Sequence, residues 1–105
     1  MRVVEITRPG GPEVLRHVER PIPRPGEGEV LVRVAAAGVN RPDIQQRRGL
    51  YPPPPGTTDI PGLDIAGIVH AAGPGVQDLA VGAAVCALAN GGGYADYCAC
   101  PSPAA

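Results

Sequence analysis

Apolar and polar residues alternate with a period of two in several short stretches of this chain, and each stretch stops at a cluster of Gly and Pro. That pattern predicts half-buried strands punctuated by turns. Residues 2–6 (RVVEI) and 14–20 (VLRHVER) flank Pro9, Gly10, Gly11 and Pro12, which predicts an opening hairpin. Pro21, Pro23 and Pro25 cannot donate to a strand ladder, so 21–27 reads as an extended connection. Residues 29–39 (EVLVRVAAAGV) then place Val30, Val32 and Val34 on one face and Leu31, Arg33 and Ala35 on the other.

The period changes at Asn40. Asn is a favoured N-cap, Pro42 is tolerated in a first turn, and Asp43 three residues on completes a capping-box pattern. A short helix through 44–48 follows, ending at Gly49. Residues 51–56 (YPPPPG) are polyproline-like and lead through a loop to 63–72 (LDIAGIVHAA). The latter reads as a buried strand, with Gly67 suited to a bulge or a close approach. Strands at 85–88 and 94–100 complete the pattern, and no internal repeat interrupts it. About six strands and one short helix predict an all-β, partly open barrel.

Composition sharpens this picture. The 105 residues include neither Phe nor Trp, so a core must come from Val, Leu, Ile and Ala. A net charge of -1 gives no field for nucleic acid or anionic lipid. There is no signal-like apolar segment and no run of 18 apolar residues, so a soluble cytoplasmic protein with no membrane partner is expected. Cys86, Cys98 and Cys100 are odd in number and read as free thiols. Absence of Lys excludes a Walker A loop, and no G-x-G-x-x-G occurs. A dinucleotide-binding half is therefore expected to be missing, with the chain ending at 103–105 before it and without a closing element.

Several motifs recur in a fixed order: GGPEVL (10–15), PGEGEVLV (25–32), AGVNRPD (37–43), R-x-G-x-YPPPPG (47–56), IPGLD-x-AG-x-V (60–69), GPGV (73–76) and GGGYADY (91–97). Together they resemble the N-terminal GroES-like catalytic domain of the medium-chain dehydrogenase/reductase superfamily. Zinc enzymes of that superfamily carry Cys where this chain has Asn40 and His where it has Leu63. Neither replacement supplies a thiolate or imidazole, and Cys98-x-Cys100 alone is no structural zinc site. The resemblance therefore points to the zinc-free quinone oxidoreductase branch, most similar to the p53-inducible quinone oxidoreductase subgroup. One departure is Gly82-Ala83-Ala84-Val85, where the family's usual Gly-Asp-Arg-Val would place two polar groups at a strand entry.

The resemblance implies hydride transfer from NADPH or NADH to a quinone or similar carbonyl, without metal, by a homodimer when full length. It places Asn40 and Arg41 at the cofactor, with Arg41 able to reach pyrophosphate oxygens. Substrate contacts are expected from Tyr51, Asp43, Gln46 and Leu63. Tyr51 offers a flat apolar face to a quinone ring and a hydroxyl donor to its carbonyl. Plainer roles compete at each position: helix cap for Asn40, solvated surface for Arg41, dipole partner for Asp43, packing on the prolines for Tyr51, ordinary core for Leu63. His17 and His70 read as structural, His70 within a buried strand. The isolated chain is expected to be inactive, with open strand edges. Two alternatives stay open, a related reductase acting on enones or enoyl thioesters and a stand-alone co-chaperonin or binding module; the 37–56 segment argues against the second.

Overall fold

The computed structural model describes residues 1–77 and 79–102; the expected lack of a closing element at 103–105 lies outside the described residues. The fold is mainly β, in two sheets. Strands β1 (Arg2–Ile6) and β2 (Leu15–Glu19) pair antiparallel through a 3-10 turn at Pro12–Val14, giving the expected hairpin as a sheet of its own. A four-stranded antiparallel sheet follows the order β5-β4-β3-β6, from Ala84–Leu88, Asp64–Ala72, Glu29–Ala37 and Tyr97–Pro101. One bridge, Val3 to Ala95, joins the two, reinforced by Val4 N–H to the Tyr94 carbonyl at 2.8 Å.

The core lies on one face of the larger sheet. Val30 and Val32 from β3, Ile65 and Val69 from β4, Ala87 from β5, and Cys98 and Cys100 from β6 are all buried there. Each fully buried Val contributes about 1.5–3 kcal/mol. Cys98 and Cys100 share that face because they are two apart in a strand. Burial pushes the Cys98 thiol up to about 12, with Cys100 beside it adding to the shift, and burial raises Cys100 as well.

Gly67 meets both expectations for it. A Cβ there would run into the Arg33 carbonyl, and the β3–β4 register shifts between Val34 and Ala36, opposite Gly67 and Ala66. Three sequence expectations need correction. His70 is exposed, because β4 alternates: Ile65, Gly67 and Val69 point inward, so position 70 falls on the outer face. Its ring stands edge-on to Tyr97, centroids 5.0 Å apart. The last strand begins at Tyr97 and not at Tyr94, whose N–H and C=O are taken by Pro61 and Val4. The central strand ends at Ala37, where the Gly38 N–H turns to the Asp64 carbonyl at 3.1 Å.

Candidate functional site

Helix α1 (Arg41–Arg47) starts where the sequence predicts, with Asn40 in extended conformation before it. The acidic arm of the capping box is in place: Asn40 N–H donates to Asp43 Oδ2 at 3.0 Å. The Asn40 side chain faces the Asp43 N–H to complete the box in outline, but that N–H bonds the Asn40 carbonyl at 3.1 Å. The Asn40 amide reaches further, donating from Nδ2 to Asp64 Oδ1 at 2.9 Å. Asp64 opens β4, so this bond ties the helix start to the strand that follows Leu63.

Asp43 is 5% exposed, and its carboxylate is filled from three directions. Besides Asn40, it accepts Gly62 N–H on Oδ1 at 3.2 Å and the Tyr94 hydroxyl on Oδ2 at 2.9 Å. A buried carboxylate needs such donors, because its desolvation is otherwise uncompensated. Burial raises the Tyr94 phenol well above its usual range, and the adjacent Asp43 raises it further. The backbone is equally tight here. Gly62 sits at φ 110, and a Cβ on it would lie 2.7 Å from both Gly93 Cα and Tyr94 N. Only Gly supplies that conformation and that clearance.

Beyond Leu63 lies a cleft of about 80 Å³ into which Gln46, Tyr51 and Leu63 all face. Pro53 and Pro54 also line it, as does a wall that includes Thr58 and Asn90. Gln46 holds that wall, donating from Nε2 to the Asp59 carbonyl at 2.8 Å. Asp59 is gripped from the other side by Arg20, whose Nη1 donates to Oδ1 at 2.9 Å while Nη2 donates to Glu5 Oε2 at 2.7 Å. The Arg20 hydrogen bond holds the Asp59 carboxyl below its usual range. The cleft is smaller than the roughly 300–1,000 Å³ of a typical ligand pocket. A cavity of about 370 Å³ behind the Thr58 and Asn90 wall contains none of the sequence-predicted site residues.

The structure thus brings Gln46, Tyr51 and Leu63 together and connects Asn40 to them through Asp64. Asp43 lies in the interior beneath them, bonding the protein's own groups. Arg41 stands on the surface at the helix start and, among the described residues, joins no ion pair. Among the described residues no three His, Cys, Asp or Glu side chains converge as a metal site would require. Sequence reasoning missed Asp64, Tyr94, Thr58 and Asn90. GGGYADY and IPGLD mark their neighbourhoods but give no indication of pairing across the chain.

The family model for the alcohol dehydrogenase GroES-like domain matches residues 26–104. The chain belongs to this family. The chain is 39% identical over 99 residues to the quinone oxidoreductase of Lama guanicoe, covering 92% of this chain and 30% of that one. It is 36% identical over 101 residues to the human synaptic vesicle membrane protein VAT-1 homolog-like, covering 96% of this chain and 24% of the relative. Among solved structures, Escherichia coli quinone oxidoreductase complexed with NADPH superposes with a TM-score of 0.85 at 34% identity, covering 99% of this chain and 32% of that one. The chain therefore spans about a third or less of the length of these proteins.

Proposed function

We propose that this GroES-like domain forms the substrate wall of a zinc-free, NADPH-dependent quinone oxidoreductase of the cytoplasm. The observation that carries the reading is the convergence of Tyr51, Gln46 and Leu63 on one cleft beside the start of α1. The E. coli relative's complex with NADPH supports the choice of cofactor. The exposed Arg41 guanidinium suits a pyrophosphate, and the amide and alkyl side chains at positions 40 and 63 support a metal-free site. No helix among the described residues is long and apolar enough to cross a membrane.

The cofactor, when bound, supplies the hydride, so the protein's task is orientation and exclusion of water. Tyr51 presents a ring face to the quinone and donates its hydroxyl proton as a hydrogen bond to the quinone carbonyl. Leu63 lines the opposite surface and keeps it dry. Gln46 fixes the wall by bonding Asp59, and Asp43 acts beneath the site as a positioning residue for Asn40 and the Gly62 turn. Arg41 and Asn40 hold the cofactor's polar groups at the helix start. Full-length molecules associate as homodimers.

Duroquinone tests this reading, since its ring is fully substituted and cannot add to the exposed Cys86 thiol. Titrated into isotopically labelled protein, it is expected to shift the Tyr51 ring and Leu63 methyl resonances together and to leave Val3 and His17 unmoved. Shifts confined to residues outside the cleft would overturn the assignment.

A further inference from the structure

The chain contains two asparagines, Asn40 and Asn90, in opposite chemical situations. Asn40 precedes Arg41 and donates its amide to Asp64 at 2.9 Å. Asn90 is exposed, makes no side-chain hydrogen bond among the described residues, and precedes Gly91. Among the described residues the Gly91 N–H likewise donates to no backbone acceptor, while its neighbours do: Ala89 N–H bonds the Leu63 carbonyl at 2.7 Å and Gly92 N–H bonds the Ile60 carbonyl at 2.8 Å. Asn90 and Gly91 thus lie between two hydrogen-bonded anchors, with the Gly91 carbonyl accepting the Cys98 thiol at 3.7 Å but the Asn90 amide and the Gly91 N–H without a partner among the described residues, and both line the Tyr51 cleft.

We propose that Asn90 is a site of spontaneous deamidation that remodels this cleft as the protein ages. The Gly91 backbone nitrogen gives up its proton to solvent and attacks Asn90 Cγ. An N–Cγ bond forms, the Cγ–Nδ2 bond breaks, and Nδ2 leaves as ammonia, closing a succinimide. Water then adds to either imide carbonyl and reopens the ring, giving aspartate or isoaspartate; the net change is one water consumed and one ammonia released. A side chain at position 91 would crowd the attack, and Gly has none. No hydrogen bond needs to break first at either reacting group.

Both products change the wall. Aspartate puts a negative charge where a neutral amide stood, in a lining shared with Thr58 and Tyr51. Isoaspartate also lengthens the main chain by one carbon between the Ala89 and Gly92 anchors. The excess must be taken up there or passed to Leu63 through its bond to Ala89. Deamidation itself follows from the local chemistry; its effect on a quinone rests on the function proposed above.

The test holds the purified chain at physiological temperature and mildly alkaline pH and maps its peptides by mass and chromatography over time, beside an N90Q chain and a urea-unfolded sample. Asn90 is expected to lose its amide nitrogen in the folded chain, with isoaspartate as the larger product, while Asn40 keeps its amide and N90Q yields no product at position 90. Conversion is expected to shift the Tyr51 and Leu63 resonances with no quinone present. Retention of the Asn90 amide in the folded chain overturns the proposal, whether or not the unfolded sample loses it. Conversion that leaves Tyr51 and Leu63 unmoved overturns the remodelling. Because neither readout contains a quinone, failure here is distinguishable from failure of the functional assignment.

Discussion

The Tyr94 hydroxyl donates to Asp43 Oδ2 at 2.9 Å, closing a loop of 51 residues. The bond joins the helix beneath the cleft to the turn before β6, and its acceptor is a buried charge. Hydrogen bonds to charged groups contribute about 1.5–3 kcal/mol. Tyr94→Phe is therefore expected to lower the unfolding free energy by that amount in urea titrations, with Asp43 keeping its two backbone donors. A change below about 0.5 kcal/mol, the size of an ordinary surface substitution, would contradict this role.

Alkaline pH probes the same bond. The Tyr94 phenol is raised in the folded state, so its contribution is fully present below the unfolded value of about 10 and is lost as pH rises through the folded value. Urea midpoints are expected to fall above about pH 10 in the parent. The part of that fall due to Tyr94 should be missing from Tyr94→Phe.

Arg20 and Asp59 carry an acid-side counterpart. The Asp59 carboxyl is held low by Arg20, so its stabilisation is present above the unfolded value of about 3.9 and disappears as pH falls through the folded one. The Asp59 side chain is 69% exposed, which limits the gain to about 1 kcal/mol or less. Asp59→Asn, which leaves the Arg20–Glu5 pair in place, is expected to cost that much at neutral pH and much less in acid, and added salt should narrow the difference at neutral pH.

Gly62 combines a left-handed backbone with a close backbone approach. With φ at 110 and 2.7 Å clearance to two backbone atoms, Gly62→Ala must displace the Gly93–Tyr94 turn and Tyr94 with it. A loss above about 3 kcal/mol is expected, combining left-handed strain with a backbone clash. A cooperative unfolding transition matching the parent's would refute the close approach.

Much of this architecture was legible in local pattern. The alternation in 29–37, the Asn40 to Asp43 cap and the need for a small residue at Gly67 each depend on neighbours in sequence or on a single strand contact. What escaped was long-range. Nothing in GGGYADY announces that Tyr94 bonds a carboxylate on α1, and nothing near Asn40 announces Asp64, because those pairings exist only once the turns at Gly62 and Gly93 have crossed. His70 is misread for a subtler reason: Ala66, Ile68 and Ala72 on the outer face of β4 make an alternating strand resemble a fully buried one. Of the expected site residues, Gln46, Tyr51 and Leu63 converge because helix, proline segment and strand meet at one end of the sheet. Asp43 lies in the helix's buried turn and is turned inward.

The most direct test joins this chain to the part of E. coli quinone oxidoreductase that it does not match and follows NADPH oxidation by duroquinone, with and without a zinc chelator. Quinone-dependent oxidation that the chelator leaves unchanged is expected, with a kcat/KM about 3–10-fold lower in Tyr51→Phe, the loss of one neutral hydrogen bond. A folded, NADPH-binding chimera that fails to reduce the quinone, or activity that chelation abolishes and zinc restores, would contradict that expectation.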